Sequence, residues 1–501
     1  MPNEKYKSSK YNHFVPTNEG QVLAFNALSC GLGQMDKESY GIYQRIVNGE
    51  ITDYTQIPQD LFEKLKDGNF IIPDTTDEIQ KLKVANWSAR FTNQGFGLTI
   101  IPTLQCNFAC DYCFEPGTSD NRNDPKRRLM TPEVQNGLVE VVKSMLPQGT
   151  LLGITWYGGE PLLGLEVMES LTKRFKEICE EKKAKYSAGI ITNGYLLMPE
   201  VVNKLTHLGI SFAQVTIDGP EEIHNQRRPL VNKGPTYQTI MENLKSIPED
   251  IPFSLAIRVN VDDRNRKHTF QLLEELKKHN LHNRKNISVY FSRVVAYTSS
   301  CKDIGEHCIV AREFALEELE LYKEAIGLGF KLRYYPVVLV GNCGAVKTNS
   351  FVVEPDGALH LCWNTVGRDK MKVGNIENSS VKLNDTYYKW LSCSPFDKKG
   401  CENCSILPLC MSGCPYTSIY PSETLSKDKS NCVTWKYNLK EMIQFYVEAK
   451  KLGLFVPPKR IAEKTEQGKP KDNNERENYI SKLPPYNKQA AEIKKLAQHK
   501  Q

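Results

Sequence analysis

No segment of the chain approaches the roughly 18–20 consecutive apolar residues that a membrane helix needs, so a membrane partner is not expected. The first residues, MPNEKYKSSKYNHF, lack the apolar core of a secretory signal. A cytoplasmic location is therefore expected. Thiols stay reduced there, which argues against a structural disulfide framework. The chain also lacks a basic body. Its net charge is +6 over 501 residues, and residues 457–501 alone hold eleven Lys and Arg against six Asp and Glu. An almost neutral body removes the electrostatic case for a nucleic-acid partner. The polar, proline-punctuated stretch 456–501 reads as a solvated charged tail. With 40% hydrophobic and 25% charged residues, the remainder has the composition of a globular protein with room for two or three domains.

What the chain has in quantity is cysteine, fifteen in all, ten of them in two spaced groups. The first is Cys106-x3-Cys110-x2-Cys113 within CNFACDYCFE. The second runs Cys343-x13-Gly357-x4-Cys362 and then Cys401-x2-Cys404-x5-Cys410-x3-Cys414, closing with Cys432. Thiols clustered in a reducing compartment read first as metal ligands. Three thiolates at the first spacing can hold three corners of a cubane, and no fourth cysteine lies between Cys113 and Cys179. A fully ligated electron carrier would supply that fourth thiolate. One iron is thus left open to a chelating cofactor. The competing reading is a zinc site completed by a distant residue, although zinc sites usually pair CxxC with a second pair.

Periodicity divides the chain. Residues 1–95 read as a small α+β module, with a strand at Gln21–Asn26, a helix at Glu38–Val47 capped by Asp36, a second helix at Leu61–Leu65 and a strand at Gly68–Pro73. Thr76–Phe91 reads as a connecting helix. From Phe96, strands alternate with amphipathic helices. Gly97–Pro102 leads into Cys106, and strands follow at Leu152–Tyr157, Ser187–Thr192, Phe212–Asp218, Leu255–Val261 and Ile287–Phe291. Helices are expected near 132–146, 165–182, 198–208, 236–246 and 268–279. Six such units imply an α/β fold, a partial (β/α)6 barrel over 96–308. A bridging helix at 309–328 opens a cysteine-rich region, 309–455. There Pro355-Asp356-Gly357 should turn a hairpin between Ser350–Glu354 and Ala358–Leu361.

CxxxCxxC just after a first barrel strand, followed by Phe114, resembles the radical S-adenosylmethionine (SAM) superfamily. Gly158-Gly159-Glu160-Pro161 after the second strand matches that family's GGEP motif. Asn193 in ITNG, and Thr216 and Asp218 in TIDGP, occupy later strand ends, where parallel α/β sheets bind ligands, and His224-x3-Arg228-Pro229 follows the DGP turn. The resemblance spans about 96–300. It implies a [4Fe-4S] cluster on Cys106, Cys110 and Cys113, SAM contacts from Gly158, Gly159, Glu160, Pro161, Asn193, Thr216, Asp218 and Arg228, and cleavage of SAM to a 5′-deoxyadenosyl radical. Turn and cap roles compete for Asn193, Thr216, Asp218 and Arg228.

All seven cysteines of the second group match the SPASM domain, which follows many such barrels. The resemblance implies two auxiliary [4Fe-4S] clusters, three clusters in all. Cys401, Cys404, Cys410 and Cys432 would hold one, and Cys343, Cys362 and Cys414 the other. Relatives with full ligation supply an eighth thiolate shortly before the first SPASM cysteine, but Tyr334–Val340 contains none. Either that auxiliary cluster has an open iron, or Cys301 or Cys308 folds back to fill it. Cys30, Cys179 and Cys393 have no motif partner.

The N-terminal segment resembles the leader-recognition module of enzymes that modify ribosomal peptides. It would take a leader by β-augmentation and hold the core peptide near the barrel. The competing role is to buttress the barrel. Together these features predict a radical SAM/SPASM oxidoreductase that matures a ribosomal precursor peptide, forming Cys thioethers, with an electron donor such as flavodoxin or ferredoxin. The alternatives are an anaerobic sulfatase-maturating enzyme that makes formylglycine, and a non-catalytic Fe–S redox scaffold.

Overall fold

The computed structural model describes residues 4–115, 129–425, 428 and 430–456. The tail expected at 456–501 lies outside the described residues from 457 onward.

The N-terminal module opens with β1 (Tyr6–Ser8), β2 (Asn12–Pro16), β3 (Val22–Asn26) and β4 (Leu32–Met35), then α1 (Lys37–Val47), α2 (Gln59–Asp67) and β5 (Ile71–Pro73). β2, β3 and β4 form an antiparallel sheet in that order, and β1 pairs with β5. Asp36 caps α1, its side chain accepting from Ser39 N–H at 2.7 Å. Ala24, Met35, Tyr43, Ile46, Phe62, Leu65 and Phe70 form a core of the module's own.

The connecting helix α3 (Glu78–Phe91) is also an anchor. Arg90 is buried and donates to Val346 O at 2.9 Å and Leu391 O at 2.7 Å, while Asn86 donates to Val340 O at 2.6 Å. A guanidinium taken out of water has to satisfy its donors on protein acceptors, and these carbonyls belong to the cysteine-rich region. The helix therefore fastens the module to the far end of the chain.

Strands β6 (Phe96–Ile100), β7 (Leu151–Trp156), β8 (Lys185–Thr192), β9 (Ile210–Thr216), β10 (Ser254–Val261) and β11 (Ile287–Arg293) are parallel neighbours in sequence order. Helices α4 (Pro132–Met145), α5 (Leu165–Glu181), α6 (Pro199–His207), α7 (Glu221–Arg227), α8 (Tyr237–Ser246), α9 (Thr269–Lys278) and α10 (Ala311–Gly327) follow these strands. This is the six-unit partial barrel. Its apolar positions, among them Ile100, Trp156, Ile190, Val215, Ile257 and Leu272, are fully buried in one continuous core.

The expected hairpin forms from β12 (Ser350–Val353) and β13 (Ala358–His360), with Gly357 at φ +86° and Asp356 accepting from Ala358 N–H at 3.0 Å. Its placement has no counterpart in the sequence pattern. β12 pairs in parallel with β6, and β13, β14 (Gly374–Glu377) and β15 (Ser380–Leu383) continue outward. One ten-stranded sheet thus spans the barrel and the hairpin. The remaining helices, α11 (Asp385–Leu391), α12 (Leu407–Cys410), α13 (Pro415–Ile419) and α14 (Trp435–Lys451), cover the C-terminal region. α14 packs on α10 and on β2 and β3. No described helix is long and apolar enough to cross a membrane.

Candidate active site

The loop after β6 brings Cys106, Cys110 and Cys113 into one another's electrostatic field. Burial raises all three thiols, and their neighbours add to it: Cys110 raises Cys106, and both of these raise Cys113. Burial raises Cys110 as well, with Arg228 opposing. Three half-buried thiols whose thiolates would repel one another ionise poorly on their own, and a cationic iron centre is the partner that lets such a donor set ionise. No three His, Cys, Asp or Glu side chains among the described residues close on a point that would hold a single metal ion.

The GGEP segment lies directly against this loop. A Cβ on Gly159 would stand 2.3 Å from Gln105 O, and one on Gly158, at φ +128°, 2.5 Å from Thr103 O. Only glycine lets the two backbones approach so closely. Glu160 N–H donates to Gln105 O at 2.8 Å. The Glu160 side chain is fully buried and points inward, accepting from Leu162 N–H at 3.0 Å, Thr192 Oγ1 at 2.8 Å and Asn193 N–H at 2.8 Å. Burial raises its pKa, and these donors oppose the rise. Pro161 begins the short helix Pro161–Gly164 that Glu160 caps. Asn193 in turn donates from Nδ2 to Asn107 Oδ1 at 2.7 Å, tying the end of β8 to the cysteine loop.

A second knot gathers around Tyr112, a residue outside every motif expectation above. Its hydroxyl donates to Asp218 Oδ2 and accepts from Arg228 Nη1 and, at 3.2 Å, from Asn260 Nδ2. Asp218 also accepts from Asn260 N–H at 2.9 Å, and its own N–H donates to His224 Nδ1 at 3.2 Å. Burial, then Arg228 and Arg227, push His224 well below its usual pKa, so its ring is neutral and Nδ1 can accept. Burial works against the Arg228 charge, but Cys110, Tyr112 and Asp218 outweigh it. Arg227 donates from Nη1 to both oxygens of the buried Asp262 at 2.9 Å. The aromatic residue inside Cys110-Asp-Tyr-Cys113 is the one sequence signal for this hub. Thr216 is buried at the last position of β9, outside both knots.

The second group divides by the same electrostatic test. Burial raises Cys362, and Cys343 and Cys414 raise it further. Burial raises Cys410, with Cys432, Cys404 and Cys401 adding to it. Cys301 sits elsewhere, with Sγ 3.8 Å from Tyr112 O and 3.6 Å from Thr298 Oγ1, and Cys308 Sγ lies 3.4 Å from Ile304 O. Both belong to an apolar cluster against Tyr112 and Phe114, beneath the first cysteine loop. Tyr157, half-buried just after β7, has its ring 5.4 Å from that of Trp363, the residue after Cys362. Burial raises its phenol, with contributions from Glu115 and Cys113 on one side and Cys362 on the other.

Residues 100–291 match the family model of the radical SAM superfamily. The chain carries a radical SAM domain. Among curated relatives of this radical SAM chain is the cysteine-type anaerobic sulfatase-maturating enzyme of Clostridium perfringens (strain 13 / Type A). It is 26% identical over 337 residues, covering 62% of this chain and 85% of the relative. The sporulation killing factor maturation protein SkfB of Bacillus subtilis (strain 168) is 27% identical over 164 residues, 32% of this chain and 35% of that protein. The solved structure of native anSMEcpe with bound AdoMet shares the fold, with a TM-score of 0.53 at 21% identity over 70% of this chain and 96% of that one.

Proposed function

We propose that this radical SAM enzyme modifies a ribosomally made precursor peptide, forming a thioether from a cysteine of its substrate. Tyr157 carries this reading, because its ring packs on Trp363 beside Cys362 while its phenol also feels Cys113 of the first loop. A substrate in that space meets both. When bound, the cluster on Cys106, Cys110 and Cys113 and its SAM supply one-electron hydrogen-abstraction chemistry. The chain's residues position and enclose: Glu160, Asn193 and the Tyr112 knot lock the loop that would cradle SAM. Cys401, Cys404, Cys410 and Cys432 would hold one auxiliary [4Fe-4S] cluster. Cys343, Cys362 and Cys414 would hold the other and leave one position for a substrate thiol. The placement of Cys301 and Cys308 beneath the first loop supports that open position.

The N-terminal sheet supports leader binding. Its β2 edge faces the cysteine-rich region, with Lys10 Nζ donating to Glu402 O at 2.9 Å and His13 Nε2 3.3 Å from Ser405 O. β4 is the opposite edge, and an extended leader can add there. An external electron donor such as flavodoxin or ferredoxin completes the scheme.

The test is to reconstitute the enzyme, supply SAM, reductant and a leader-bearing cysteine peptide, and weigh the product. A loss of two hydrogens per crosslink, with the cysteine thiol blocked, is expected. The second reading, formylglycine formation, is favoured by the long match to the sulfatase-maturating enzyme. An aldehyde in place of the cysteine would establish it. Loss of one cluster's iron from a Cys301→Ala, Cys308→Ala double variant would overturn the open position.

A further inference from the structure

Arg258 stands out among the arginines of the barrel. It lies on β10, in register with Thr216 on β9 and Tyr290 on β11. Register partners in a parallel sheet point to one face, and the flanking Ile257 and Val259 are buried on the other. Arg258 therefore faces the barrel interior beside a residue expected to touch SAM. Its guanidinium is held from the side, Nε donating to Asn260 Oδ1 at 2.7 Å and Nη2 to Ser292 Oγ at 3.0 Å, over the Tyr290 ring at 5.9 Å. Tyr290 is itself braced, donating to Gln214 Oε1 at 2.5 Å.

No carboxylate pairs with this cation among the described residues. Most of its neighbours differ: Arg227 and Arg264 pair with Asp262, Arg266 with Asp263 and Glu313, and Arg293 with Asp428, while Arg228 reaches Asp218 through the Tyr112 hydroxyl. The Arg258 charge acts on Tyr157 and on Tyr297, two half-buried phenols that also feel Cys362, and Asn260, which holds Arg258, donates to the Tyr112 hydroxyl beside Cys113. It therefore lies in the space where the two thiol groups meet. A positioned, partly desolvated guanidinium without a counter-ion is a receptor for an oxyanion, and its planar fork matches a carboxylate.

We propose that Arg258 is a specificity residue that binds a carboxylate side chain of the substrate peptide, an Asp or Glu close to the residue being modified. This rests on the reading of the chain as a peptide-modifying enzyme. Recognition is a binding event and can be measured without turnover.

A display library of randomised cysteine-containing peptides, panned against the reconstituted holoenzyme, tests it. Peptides recovered by the unaltered enzyme should favour Asp and Glu over Asn and Gln by about tenfold or more at one position. R258Q should lose that preference, R258K should retain part of it, and R258E should turn it toward Lys and Arg. Iron content and circular dichroism establish that each variant is folded and loaded. An acidic preference that persists in R258Q overturns the proposal, as does the absence of any such preference in the unaltered enzyme. SAM carries a carboxylate too, so SAM affinity is measured alongside. A loss of SAM affinity in R258Q as large as the loss of peptide preference assigns Arg258 to the cofactor and overturns the substrate role. Acid-selective binding without modification of any recovered peptide would instead count against the proposed function and leave this assignment standing.

Discussion

Replacing Glu160 by Gln should destabilise the protein even before any cluster or SAM is bound. The carboxylate satisfies three buried donors through two oxygens, Leu162 N–H and Thr192 Oγ1 on Oε1 and Asn193 N–H on Oε2. A carboxamide has one oxygen. If it keeps Leu162 and Thr192, its amino group faces the Asn193 N–H, donor against donor. The Thr192 hydroxyl can rotate to a new acceptor, whereas a main-chain N–H cannot. Leaving one buried N–H unsatisfied costs about 1–3 kcal/mol, and turning charge-assisted bonds into neutral ones adds up to about 1 kcal/mol each. Burial already disfavours the Glu160 charge, so a neutral amide recovers part of this. A net loss of about 2 kcal/mol follows. In a chain of this size it should lower the urea midpoint by on the order of 0.5 M, and Glu160→Ala, which abandons all three donors, should lower it further. Circular dichroism of the cluster-free protein reads the shift. An unchanged midpoint in both variants, with only SAM affinity lost, would refute the reasoning and make Glu160 a cofactor contact alone.

Other perturbations follow from the same geometry. Asp262→Asn removes the carboxylate that is hydrogen-bonded to the buried Arg227, leaving it Asp218 at 3.8 Å, and should cost about 1.5–3 kcal/mol at neutral pH. Burial pushes the Asp262 carboxyl up, but Arg264 and Arg227 outweigh it and hold its pKa below the usual 3.8. That stabilisation is complete above the usual value and disappears as the pH falls through the lowered one. The unaltered protein should therefore lose stability below about pH 4 more steeply than the variant, as unfolding midpoints at neutral and acid pH will read. Gly159→Ala drives a Cβ into the Gln105 and Leu104 carbonyls, displacing the loop that carries Cys106, and iron analysis should show one cluster fewer after reconstitution. Gln34→Pro tests the leader edge. Asn26 N–H donates to Gly31 O, so alternation along β3 and β4 turns the Gln34 N–H outward. Proline there should abolish leader binding in a fluorescence anisotropy titration and leave the unfolding midpoint unchanged.

Local patterns carry far in this chain. The barrel strands and helices fall within a few residues of their sequence-based positions, because each is an apolar run or an amphipathic stretch. Cys106, Cys110 and Cys113 announce themselves by spacing, and so do the seven later cysteines. Pairing across long separations is what local pattern does not encode. Nothing in Ser350–Val353 says that its partner is Phe96–Ile100, some 250 residues earlier. The GGEP motif points Glu160 outward to SAM, but an isolated carboxylate in a turn does not disclose that Thr192 and Asn193 arrive to receive it. Tyr112 escapes a motif search because its partners, Asp218, Arg228 and Asn260, come from the loop after β9, the end of α7 and the end of β10. Arg258 carries no motif, and its isolation from carboxylates is visible only in three dimensions.

The seam between β6 and β12 bears on how such a protein can be cut and recombined. β6 delivers the chain to Cys106, and β12 leads through its hairpin to Cys362. The two thiol groups are thus joined by main-chain hydrogen bonds across adjacent strands, and their spacing is a property of the sheet instead of a tether. A truncated barrel ending near residue 308 would bare the whole flank of β6, inviting intermolecular strand addition. Such a fragment should precipitate where the full chain does not. An accessory region grafted from elsewhere would have to bring a strand that completes this flank before it could bring its metal.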